Sequence, residues 1–93
     1  MSCTDAQALA MLNPDTFSAP TLAALGEIIP DDYVKVCIDE IERIWCQVAS
    51  IDGVTINAVI CNDPLIVDGL NFGDPIQFEM RHVYDIISDG EKI

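Results

Sequence analysis

The hydrophobic pattern changes its period once along the chain, near Pro30. Ahead of that point, Ala6 to Leu12 is a run of Ala, Leu and Met, all good helix formers. Asn13-Pro14 closes the run, because a residue before proline is pushed out of the α region. Thr4, with Gln7 three residues on, reads as a capping box for this helix. Ser18 or Thr21 starts a second short helix carrying Leu22, Leu25 and Ile29, which Gly26 and Pro30 stop within about two turns.

From Tyr33 onward the period is two. Val34, Val36 and Ile38 alternate with Tyr33, Lys35 and Cys37, and Ile44, Cys46 and Val48 alternate with Arg43, Trp45 and Gln47. Val54 to Ile60 and Ile76 to Met80 repeat the pattern, and Val83 to Ile87 makes a fifth run. Such alternation suits strands with one face on a core. Asp52-Gly53 between two runs is a hairpin signal, and Asp39-Glu40 marks a second tight reversal. Asn62-Asp63-Pro64 and Gly69 to Asp74 read as loops. The predicted fold class is α+β: a small five-stranded antiparallel barrel or strongly bent sheet with one or two short N-terminal helices. Residues 1–93 form a single domain in this reading, with 1–30 a helical cover, 31–87 a barrel-like sheet and 88–93 a polar tail.

Composition narrows the function classes. At 93 residues and 51% hydrophobic, the chain has room for one core and enough apolar content to form it. Four Lys and Arg against sixteen Asp and Glu leave a net charge of −12, which repels phosphate backbones and argues against direct nucleic-acid binding. No apolar run reaches the ~18 residues of a membrane span. Met1 to Met11 lacks the basic residues of a secretion signal, so a cytoplasmic protein is expected. Cys3, Cys37, Cys46 and Cys61 contain no C-x-x-C pair, and the hairpin register puts Cys46 and Cys61 on a diagonal, ~7–8 Å apart and too far for an unstrained bridge. Free thiols in a reducing compartment follow.

Glu42-Arg43-Ile44-Trp45, Val48, Ile51-Asp52-Gly53, Ile56, Asn62-Asp63-Pro64, Gly69-Leu70, Phe72-Gly73-Asp74, Ile76, Phe78 and His82 to Ile86 occur in an order and spacing that resembles the YegJ-like domain, a widespread bacterial family of unknown function. The resemblance covers 33–86, leaves 1–30 unmatched, and implies a compact β domain without an assigned activity. The same residues have scaffold readings. Asp52-Gly53 suits a type I′ turn, Asp63-Pro64 an extended exit from a strand, and Gly73-Asp74 a sharp bend. Trp45, the single tryptophan, is expected to supply apolar area under the helical cover.

Catalytic chemistry finds little footing. His82 is the only histidine, and pairing it with Asp85, Cys46 or Cys61 lacks a nucleophile in a strained turn, so no enzyme is predicted. Asp31-Asp32 and Asp39-Glu40 lack the alternating acids and central glycine of a calcium loop, and neither phosphate-binding glycine motif occurs, so no metal and no cofactor is predicted.

The acids carry the functional expectation. Carboxylates staggered on neighbouring strands and loops can approach the charge density of duplex DNA, one charge per ~3.4 Å along each strand. Asp31, Asp32, Asp39, Glu40, Glu42, Asp52, Asp63, Asp68, Asp74 and Glu79 are the candidate partner-binding residues, with Asp85 beside them. The expected function is a non-enzymatic, monomeric inhibitor that occupies a basic nucleic-acid-binding site on a partner protein or complex, such as a CRISPR effector. In size and charge the chain is similar to small acidic phage-encoded anti-CRISPR proteins and DNA mimics. The alternative is a protein-interaction domain of the YegJ-like type, with an apolar patch near Trp45 or Phe72 and no nucleic-acid-related role.

Overall fold

The computed structural model describes residues 2–87, so the tail expected at 88–93 lies outside the described residues. In chain order the elements are α1 (Ala6–Leu12), a single helical turn α2 (Leu22–Gly26), β1 (Tyr33–Ile38), β2 (Glu42–Asp52), β3 (Thr55–Ile60), β4 (Pro75–Glu79), a 3₁₀ turn at Met80–His82, and β5 (Asp85–Ile87). The strands form one antiparallel sheet in the order β4-β3-β2-β1-β5.

β2 is the long strand that joins two half-sheets. Glu42 to Gln47 pairs with β1, while Cys46 to Asp52 pairs with β3, and the register shifts between Val48 and Ser50. The expected barrel does not form. Closure needs the two outermost strands to hydrogen-bond to each other, whereas β5 has three residues, all paired with Tyr33 to Lys35 of β1. The sheet is nonetheless curled. Four strand spacings in a flat sheet would separate β4 from β5 by ~19 Å. Residues 80–84 must bridge them while losing length to a 3₁₀ turn that rises only ~2 Å per residue. The bridge therefore crosses the core face, and Val83 is fully buried there.

The core follows the alternating pattern. Val34, Val36, Ile38, Ile44, Cys46, Val48, Ile56, Ala58, Ile60, Ile76 and Phe78 line the inner face, and Leu25, Ile28 and Val83 cover it. Each fully buried branched side chain contributes ~1.5–3 kcal/mol relative to exposure. The free edge of β1 is completed from the N-terminus: Cys3 bridges to Ile38, and Thr4 donates its N–H to the Cys37 carbonyl at 2.9 Å.

Several local expectations change. Asp5, not Thr4, caps α1, its carboxylate accepting the Ala8 N–H at 2.9 Å. Gln7 instead donates to the Pro20 carbonyl, and the Thr4 hydroxyl accepts the Glu40 N–H. A carboxylate is the stronger acceptor, and the edge pairing of Thr4 takes its side chain elsewhere. The type I′ geometry belongs to Asp39-Glu40, where φ is 52° and 63°, with the Ile41 N–H donating to the Ile38 carbonyl. At the other hairpin only Gly53 has positive φ, because Asp52 is still in β2 and Val54 takes the second turn position. Trp45 lies on the outward face, half-buried beneath Lys35, because it shares the parity of Arg43 and Gln47. β5 starts at Asp85 instead of Val83, since the bridge from β4 uses the intervening residues.

Candidate functional site

Glu42 opens β2 and its carboxylate fastens a distant loop. Oε2 accepts the Leu65 N–H at 2.6 Å, and Oε1 accepts those of Ile66 and Val67 at 2.9 and 3.0 Å. Three consecutive donors around one anion form a backbone nest. They hold the carboxyl below the usual glutamate range, the Leu65 bond first and then those from Ile66 and Val67.

The loop is residues 61–74, between β3 and β4, and it is tied at both ends as well. Asn62 accepts the Trp45 N–H at 2.6 Å, Gly73 donates to the Ile60 carbonyl at 2.8 Å, and Asp74 accepts the Asn71 N–H at 2.9 Å. Gly73 sits at φ 89°, the left-handed bend that returns the chain into β4. Val67 and Leu70 turn inward against the core. Leu65, Ile66 and Phe72 point outward, Leu65 being 89% exposed and Ile66 62%. Ile41, next to Glu42 in the β1–β2 turn, is 59% exposed. A backbone so thoroughly fastened could have buried these side chains and instead presents them.

The ten expected acids do not share one role. Glu40, Asp63 and Asp68 are exposed on the turn and loop around the apolar group. Glu42 and Asp74 hold that loop from within. Asp39 accepts the Ser2 N–H at 2.7 Å and ties down the N-terminus. Asp31 is exposed ahead of β1, at φ 78°. Asp32 is only 3% exposed and accepts the Ile29 N–H at 3.0 Å, so it faces inward and is removed from the surface set. Asp52 sits at the far end of β2, roughly 30 Å of strand from Glu42. Glu79 ends β4 and pairs with Arg81 at 3.0 Å. Between their ends, the outward positions of β1, β2 and β3 include Lys35, Arg43, Trp45, Gln47, Ser50, Asn57 and Val59, with no acid in mid-strand. The carboxylates therefore lie in turns and loops, because strand interiors favour β-branched and aromatic residues and turns favour Asp.

The described cations are placed differently. Arg81 bridges Glu79 and Asp5, each at 3.0 Å. Lys35 lies 5.0 Å over the Trp45 ring, and Arg43 lies 5.0 Å over Tyr84, which also meets Phe17 edge-on at 5.2 Å. The groups weighed for catalysis are engaged elsewhere. His82 Nδ1 accepts the Glu79 N–H at 3.0 Å. Burial pushes the Cys46 thiol up to about 12 and the Cys3 thiol up to about 11, so both are protonated near neutral pH. All four cysteines are free. Among the described residues no three His, Cys, Asp or Glu converge as a metal site, and no helix is long and apolar enough to cross a membrane.

The sequence reading did not single out Leu65, Ile66 and Ile41. Their signal was present: Leu65-Ile66-Val67 is an apolar triplet inside a loop otherwise built of Asn, Asp, Pro and Gly. No family model matches the chain, and no curated protein or solved structure is similar to it at a significant level.

Proposed function

We propose that this protein is a binding module that docks on a basic protein surface through the end of the sheet where the β1–β2 turn and the β3–β4 loop meet. The observation that carries this reading is the Glu42 carboxylate gripping three consecutive loop amides while Leu65 and Ile66 stand in solvent. Interface energy concentrates in a few central side chains that exclude water. A loop already fixed in shape loses little entropy on docking. Glu40, Asp63 and Asp68 around the apolar centre supply the charge that selects and steers a cationic partner. The net charge of −12 adds long-range attraction to such a partner.

The test compares the wild type with two variants immobilised against a lysate and eluted on a salt gradient. L65A/I66A should lose the captured partner at every salt concentration. E40Q/D63N/D68N should release it earlier in the salt gradient than the wild type does, with a slower on-rate at low salt and a difference that shrinks as salt screens the charges. Retention of the same partner by both variants overturns the reading.

The narrower version is that the partner's basic surface normally holds nucleic acid, which makes the chain a charge mimic of the anti-CRISPR type. What supports it is the excess of carboxylates over cations, sixteen Asp and Glu against four Lys and Arg, with Glu40, Asp63 and Asp68 exposed to solvent. Duplex DNA added to the captured complex should then displace the partner. A partner that DNA does not displace favours the alternative, an interaction domain with no nucleic-acid-related role, which is also all that a YegJ-like resemblance would imply.

A further inference from the structure

A cleft of about 390 Å³ opens where α1 and the β1–β2 turn meet the outward face of the sheet. Its volume lies within the ~300–1,000 Å³ of small-molecule sites. Leu9 and Ile41 give it apolar surface, and Glu40 and Arg43 give it one charge of each sign. The neutral polar groups of the cleft are spent on one another. Thr4 Oγ accepts the Glu40 N–H at 3.1 Å, and the Tyr84 hydroxyl is engaged by the Cys37 thiol and the Thr4 hydroxyl. The two charges are not spent. No ion pair joins Arg43 to Glu40, or to any other acid among the described residues.

Both charges are nevertheless held in place. Arg43 lies 5.0 Å over the Tyr84 ring, which Phe17 meets edge-on at 5.2 Å. Glu40 stands at φ 63°, left-handed backbone where glycine is the ordinary choice. A carboxylate carried at a strained position points to a use for that side chain.

We propose that this cleft binds a small zwitterion, a free α-amino acid with an aliphatic side chain: its carboxylate on the Arg43 guanidinium, its ammonium on the Glu40 carboxylate, and its side chain against Leu9 and Ile41. Charge complementarity selects this class over its neighbours. A simple carboxylate would meet Glu40 beside Arg43, and the repulsive field of a chain with net charge −12. A simple amine would leave the guanidinium unmatched. A zwitterion has no net charge for that field to act on, and it matches both groups at once. The planar fork of Arg43 takes a carboxylate through two parallel hydrogen bonds. An aliphatic side chain suits Leu9 and Ile41, because the Tyr84 ring is already engaged by Arg43 and Phe17.

Isothermal titration of the full chain with L-leucine, 4-methylpentanoate and 3-methylbutylamine tests this. L-Leucine should bind at one site, and each analogue, lacking one of the two charges, about tenfold more weakly or worse. Arg43→Gln should weaken L-leucine by a similar factor. Arg43→Lys, which keeps the charge without the fork, should also weaken it and serves if the glutamine variant fails to fold by circular dichroism. Glu40→Gln removes the partner of the ammonium and the repulsion of a bare carboxylate, so it should erase the preference for L-leucine over 4-methylpentanoate. Absence of saturable L-leucine binding at millimolar concentration, equal binding of L-leucine and 4-methylpentanoate by the wild type, Arg43 variants that bind as the wild type does, or a preference that survives Glu40→Gln overturns the proposal. Glu40 and Ile41 also border the docking surface, but Leu65 and Ile66 do not line this cleft. L65A/I66A should therefore keep L-leucine binding while losing the captured partner, so the two readings fail separately.

Discussion

The backbone N–H of Glu79 donates to Nδ1 of His82 at 3.0 Å, while the Glu79 side chain accepts the His82 backbone N–H in return. Burial and the neighbouring Arg81 charge hold the imidazole below its usual pKa. The folded chain thus binds this proton less readily than the unfolded chain. The stability from a neutral His82 is complete above the unfolded value of ~6.5 and is lost as pH falls through it toward the lower folded value. Urea midpoints of dilute protein should drop between pH 7.5 and 5.5, and the drop should vanish in His82→Leu. An identical drop in the variant counts against a role for His82.

Glu42 titrates in the opposite sense. Its folded pKa lies below the ordinary glutamate range, so its grip on the loop is present above ~4.3 and lost as pH falls through the depressed folded value. Glu42→Ala should speed amide hydrogen exchange at Leu65, Ile66 and Val67 at neutral pH, with the β1–β3 amides unaffected. Unchanged protection at those three amides would contradict the fastening role.

Ile56 is fully buried on β3, an interior strand between β4 and β2. Ile56→Ala should cost ~2–5 kcal/mol and Ile56→Val ~0.5–1.5 kcal/mol in urea unfolding. A loss below 1 kcal/mol for the alanine variant would mean that the two halves of the sheet do not pack as one core.

Glu40 occupies left-handed backbone at φ 63°, where a residue with a Cβ bears a cost of ~1–2 kcal/mol. Glycine removes that cost and adds entropy to the unfolded chain, so Glu40→Gly should raise stability by up to ~1 kcal/mol. Asp39→Gly should gain less, because it also gives up the bond to the Ser2 N–H. A destabilised Glu40→Gly would show that the Glu40 side chain holds the turn.

Local pattern determined the elements. The period of two in β1, β2, β3 and β4 put Val34, Ile44, Ile56 and Phe78 on the core face, as alternation requires of a half-buried sheet. Asn13-Pro14 and Gly53 marked where the chain turns. Tertiary structure decided everything that depends on distant partners. Glu42 meets Leu65 across 23 residues, and no local pattern encodes that distance. Asp32 turns inward to bond the Ile29 N–H, although its neighbour Asp31 stays in solvent and composition treats the two alike. Closure or openness of the sheet was likewise a global matter, set by how far residues 80–84 reach and by a last strand too short to pair twice. Composition supplies the charge and period supplies the faces, but where carboxylates gather depends on which turns the curled sheet brings together.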